Sequence, residues 1–84
     1  MNHFASPQFW DCYTRLPIAF RQLADKSYLL TKQDPQHPSI CLKRVGQYYG
    51  ARVGLHYQAL AVETSDGLIW FWIGSHAEYD RIIG

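Results

Sequence analysis

The sequence predicts an α+β domain: an N-terminal helical hairpin packed on a four-stranded antiparallel sheet, with a short C-terminal helix after the last strand. Three observations carry this. Two proline-started segments with helical spacing occupy residues 6–33. From Ile40 onward the apolar residues alternate instead, with short glycine-bearing connections. Six apolar residues, Leu68 to Ile73, then run unbroken into Gly74-Ser75-His76. Helices set apart from strands favour an α+β layer, and short links between successive strands favour antiparallel hairpins.

Each element has its own signal. Ser6-Pro7 starts the first helix, with serine as N-cap and proline at the first helical position. Phe9, Tyr13 and Leu16 then recur at helical spacing. Leu16-Pro17 breaks this helix and Pro17 opens a second. Phe20, Leu23, Ala24 and Leu30 form its apolar stripe, and it is expected to end near Gln33, before Asp34-Pro35 and His37-Pro38. Residues 40–45 and 48–55 read as strands, with Arg52 on the face opposite Val53. Gly54-Leu55-His56 reads as a hairpin turn and Tyr57 to Thr64 as the next strand. Ser65-Asp66-Gly67 is a second turn. Leu68 to Ile73, apolar on both faces, is expected to be central. Ser75 caps a short last helix, with His76 and Glu78 in its first turn and Ile82 and Ile83 returning to the core.

The chain of 84 residues is expected to be one domain, 1–84. Hydrophobic residues make up 48% and charged residues 18%, which excludes a disordered tail or linker. No run reaches the length of a membrane-spanning helix, and the first residues lack the basic start and apolar run of a secretory signal. Cys12 and Cys41 form no CxxC pair, so neither a disulfide framework nor a zinc site is expected. A cytoplasmic protein with two ordinary buried thiols and no metal or cofactor is expected. The net charge is only +1, but it is unevenly spread. Between Asp34 and Glu63 there is no acidic residue, while Lys43, Arg44 and Arg52 fall there with His37 and His56. Such a strip suits phosphates and equally suits a solvated face.

Few residues carry chemistry. His76 directly follows the most apolar strand, so it reads either as a first-turn helix residue or as a rigidly held proton-transfer group. Arg52 is an exposed strand arginine or a phosphate clamp. Tyr79 is a packed ring, or a residue that stacks on a base or donates its hydroxyl. Lys43, Arg44, Tyr49 and His56 are the further candidates for binding RNA. There is no glycine-rich phosphate loop, no GxSxG elbow and no histidine pair at metal-ligand spacing.

The segments "DPQHPS", "LKRV", "YYGARVG", "YQAL" and "IWFWIGSHAEYDRII", in this order and spacing, resemble the RelE/ParE superfamily of toxins from bacterial type II toxin–antitoxin systems. The resemblance covers nearly the whole chain, and the last segment looks like a ParE-like branch. It implies a cognate antitoxin as partner and growth arrest as the effect. For the RelE-like branch it implies a metal-independent endoribonuclease that cuts messenger RNA, usually on the ribosome, with the RNA's own 2′-hydroxyl attacking the neighbouring phosphate. His76 then matches the catalytic position past the last strand, Arg52 and Lys43 match basic strand positions near the scissile phosphate, and Tyr79 matches a C-terminal aromatic. For the ParE branch it implies a DNA gyrase inhibitor that binds without catalysis. Many members carry Tyr-Arg where this chain has Tyr57-Gln58, which removes one cation from the ribonuclease pattern.

Overall fold

Residues 2–34 and 36–84 are described by the computed structural model; they form three helices and a five-stranded sheet. In chain order the elements are β1 (Asn2–Ala5), α1 (Pro7–Thr14), α2 (Ile18–Gln33), β2 (Lys43–Val45), β3 (Tyr48–Val53), β4 (Tyr57–Thr64), β5 (Gly67–Ser75) and α3 (His76–Ile83). The strands lie in the order β1-β5-β4-β3-β2. β2 to β5 make the expected antiparallel meander. The sheet is nevertheless mixed, because β1 adds a fifth strand parallel to β5, pairing Asn2 with Gly67 through Ala5 with Trp70. No four-residue strand was expected there. It places His3 inside and Phe4 outside, the reverse of their hydropathy, so alternation gave it no signal.

The first helix starts as its sequence requires. Ser6 Oγ accepts from the Phe9 N–H at 3.3 Å, and Pro7 occupies the first helical position. Proline at 17 opens α2, which ends at Gln33. The Arg21 guanidinium ties the corner between the helices by donating to the carbonyls of Leu16 and Thr14. The helices are unequal, eight residues against sixteen. α1 packs on β5 and α2 on β3. Together with this sheet face they enclose the main core of Phe9, Leu16, Ala24, Ala51, Val53, Ala59, Ala61, Leu68, Trp70 and Ile73.

The first expected strand is shorter than its pattern. Ile40 and Leu42 fall outside β2, because Cys41 takes a left-handed backbone conformation with φ of 50° and kinks the chain. Ile40 still reaches the core at 1% exposure, and its carbonyl accepts from the Arg52 N–H at 2.7 Å. Pro35 of the expected Asp34-Pro35 turn lies outside the described residues. The β3–β4 turn at residues 54–56 depends on Gly54, whose φ is +65° and whose missing side chain leaves room for Leu23.

A bulge between Leu60 and Ala61 sets β5 out of step, so that Ala61 faces Trp70 while Leu60 faces Trp72. Trp70 therefore joins the main core. Trp72 points to the opposite face, the one that α1 and α2 leave open. α3 crosses that open face. Ser75 caps it in a capping box with Glu78, as expected. The residue it buries is Tyr79, at 6% exposure, over Leu60 at 0%. Ile82 and Ile83 do not return to the core: they are 42% and 39% exposed. The helix turns Tyr79 inward, and its last turn projects past the sheet toward Val45 and Tyr48.

Candidate active site on the open sheet face

Residues opposite one another across antiparallel strands share a face, and this decides which candidates meet. Arg52 on β3 pairs with Gln58 on β4, and Gln58 pairs with Gly74 on β5. All three face away from α1 and α2, because their neighbours Ala51, Val53 and Ala59 fill the main core. At the end of this row β5 passes through Ser75 into α3, and His76 stands next to Gln58. The Gln58 Nε2 lies 3.5 Å from His76 Nδ1. The His76 N–H donates to the carbonyl of His56 at 2.9 Å, which holds the helix start against the β3–β4 turn. Arg52, Gln58 and His76 thus form one continuous strip at one end of the sheet, with the His56 backbone carbonyl at its edge.

Lys43 extends the strip. It pairs with Gly50, on the same face as Arg52 and two residues away, so the two cations are diagonal neighbours. Such diagonal positions lie roughly 7–8 Å apart, close enough for side chains this long to hold one phosphate or two adjacent ones. Both side chains are exposed.

The His76 ring is held on several sides. Its Nε2 lies 3.7 Å from the Asp80 carboxylate, one helical turn on. Tyr79 stacks beside it, with centroids 5.7 Å apart and planes at 25°. The Tyr79 hydroxyl sits over Gly50, 3.7 Å from where a side chain there would begin. A ring buried in this way has no free face for a nucleobase, so the expectation of base stacking by Tyr79 is corrected: its contact is with His76. The capping box adds rigidity, because Ser75 N–H and Oγ both bond to Glu78 Oε1, at 3.3 and 3.1 Å.

Two candidates lie elsewhere. Arg44 pairs with Tyr49, and both face the α1/α2 side of the sheet. Arg44 covers the Tyr49 ring at 5.4 Å from its centroid and meets the Glu63 carboxylate at 3.6 Å. Adjacent strand residues point to opposite faces, so Lys43 and Arg44 cannot both serve one surface. The expected shared surface is corrected accordingly, and Arg44 and Tyr49 leave the site. Gln58 and Asp80 join it instead. Gln58 was legible as a neighbour of Arg52, since the two residues stand equally far from Leu55 at the centre of the turn. Among the described residues no three His, Cys, Asp or Glu side chains gather in a group that could hold a metal ion. No helix is long and apolar enough to cross a membrane.

No protein-family model matches this sequence, and no curated protein matches it. Solved structures do. A chain of the RelB-RelE antitoxin–toxin complex from Methanococcus jannaschii superposes with a TM-score of 0.73 at 14% identity, covering 96% of this chain and 99% of that one. The isolated E. coli RelE toxin superposes with a TM-score of 0.62 at 9% identity, covering 95% and 93%. At such identities the likeness concerns the backbone path, and it extends over nearly the whole of each chain. The mixed five-stranded sheet with two helices on one face and a third crossing the other is therefore a RelE-like fold.

Proposed function

We propose that this chain is the toxin of a toxin–antitoxin pair and acts as a metal-independent endoribonuclease on messenger RNA. The observation that carries the proposal is the strip Lys43, Arg52, Gln58 and His76 on the open face, with two exposed guanidinium or ammonium groups beside one restrained imidazole. Cleavage of this kind needs no outside nucleophile. The RNA 2′-oxygen forms a bond to the adjacent phosphorus while the bond to the 5′-oxygen breaks, leaving a cyclic phosphate. The 2′-hydroxyl gives up a proton and the leaving 5′-oxygen takes one. His76 is assigned one of these two transfers and solvent the other. Arg52 is assigned the charge that builds on the phosphoryl oxygens, where a fixed cation contributes several kcal/mol in comparable sites, and Lys43 the neighbouring phosphate. Both structural neighbours carry the RelE name, and this favours RNA cleavage over the binding-only inhibition of gyrase. One neighbour comes from a toxin complex with its antitoxin, which supports a cognate antitoxin as the resting partner of this chain.

The test is a map of messenger RNA 5′ ends in bacteria minutes after induction. The expected result is new cuts inside coding regions with the wild-type chain, lost in His76→Ala and Arg52→Ala while both variants stay folded. Intact messages in growth-arrested cells would overturn the ribonuclease reading and send the search to gyrase.

A further inference from the structure

We infer that Gln58 is a positioning residue that fixes which nitrogen of His76 carries the proton. An amide nitrogen only donates, and a carboxylate only accepts. Gln58 Nε2 faces His76 Nδ1 at 3.5 Å, so Nδ1 must present its lone pair. The Asp80 carboxylate faces His76 Nε2 at 3.7 Å, which in the neutral ring favours the hydrogen on that nitrogen. The two neighbours come from different elements, β4 and α3, and favour the same tautomer. Turning the amide round would put its oxygen on Nδ1. The hydrogen would then have to sit on Nδ1, leaving a bare Nε2 lone pair against a carboxylate. That arrangement sets two acceptors against each other and is the poorer one.

The surroundings hold this geometry. The Trp72 ring occupies the space that a side chain at position 74 would take. Gln58 stands in register between Gly74, over which that ring lies, and Arg52 on β3. Tyr79 fixes the plane of the imidazole from its other side. The consequence for chemistry is directional. A neutral His76 held in this way offers an N–H at Nε2 and keeps its free lone pair turned into the protein. It is set up to hydrogen-bond a phosphate oxygen through Nε2–H rather than to take the 2′-hydroxyl proton there, and protonating the leaving oxygen takes the imidazolium, with a second proton on Nδ1. This use of the tautomer rests on the ribonuclease reading, whereas the tautomer itself does not.

The experiment therefore reads the tautomer directly. The full chain labelled with nitrogen-15 at histidine is examined by two-bond proton–nitrogen correlation, at a pH where the imidazoles are neutral. His76 is expected to show the Nε2–H pattern in the wild type. Gln58→Glu replaces the donor by an acceptor and is expected to move the proton toward Nδ1. Gln58→Leu removes the partner, and its His76 nitrogen shifts are expected to move toward the averaged values of a free imidazole. The signals of His3, His37 and His56 report that the variants fold. A wild-type Nδ1–H pattern, or nitrogen shifts unchanged in both variants, would overturn the proposal. RNA cleavage is measured alongside. If the ribonuclease reading holds, Gln58→Glu lowers kcat by about tenfold or more while KM changes little. A wild-type chain that cuts no RNA would sink that reading and leave the tautomer result to decide the role of Gln58.

Discussion

His3 shows how much one residue determines in a fold this small. Its Nδ1 accepts from the Trp70 indole N–H at 3.0 Å, in the interior, with the two rings stacked 6.1 Å apart. An indole nitrogen only donates, so the bond requires Nδ1 to be bare. Protonation at Nδ1 breaks it. Burial pushes the His3 pKa below the ordinary histidine value, helped by the positive charges of the amino terminus and Lys32. The neighbouring α2 also supplies Tyr28, whose hydroxyl donates to the His3 carbonyl at 3.5 Å. With the folded value depressed, the unfolded chain binds more protons just below the ordinary value of about 6.5. His3 therefore contributes its stability in full above that pH, and the contribution is lost as the pH falls toward the lowered folded value. Urea midpoints measured from pH 7.5 down to pH 5 are expected to fall for the wild type. His3→Phe, which cannot titrate, is expected to fall less over the same range, since the other histidines are common to both chains. Equal slopes would remove His3 from the account. The same substitution leaves the indole N–H unpaired, at a cost of about 1–3 kcal/mol at neutral pH.

At the scale of elements, the site hangs on the junction of β5 and α3. The Ser75 hydroxyl accepts from the Glu78 N–H at 3.2 Å, and this cap sets the angle at which His76 leaves the sheet. Ser75→Ala is expected to cost about 1 kcal/mol. In a domain of this size that lowers the midpoint of thermal unfolding by about 4–8 °C. Amide exchange in α3 is expected to rise well before exchange in β4 and β5, and an unchanged pattern would show that Tyr79, not the cap, holds the helix. The cap was legible in the sequence, as were both proline starts, the turn at Gly54 and the centrality of β5, because each rests on local chemistry. What was not legible is tertiary. β1 pairs with a strand more than sixty residues away and carries its polar residue inward. The bulge at Leu60 reverses the facing of the first half of β5, and no composition signal announces it. The ends of β2 follow from one left-handed cysteine. In the site, Arg52 and His76 were readable from alternation and from position. Gln58 was noticed only as a missing arginine, and its contact with His76 depends on how α3 leaves the sheet.

Over the whole molecule, the distribution of charge predicts how RNA should bind. The net charge is +1, so no general attraction drives association. The open face offers Lys43 and Arg52, while Arg44 on the other face is already matched by Glu63. A single-stranded RNA lying on the open face would then have two phosphates neutralised by fixed cations. Each contributes about 0.7 to the magnitude of the slope of log affinity against log salt, giving a slope of about −1.4. Fluorescence anisotropy with a labelled 2′-O-methyl oligonucleotide, which cannot be cut, measures this between low and moderate salt. Lys43→Ala is expected to reduce the slope to about −0.7, and Arg44→Ala is expected to leave it unchanged. Steeper dependence, about −3 or beyond, would mean that RNA also engages cations on the α1/α2 side. An Arg44→Ala effect with none from Lys43→Ala would place the RNA there outright. That result would separate the binding surface from His76, and with it the imidazole from any part in cleavage.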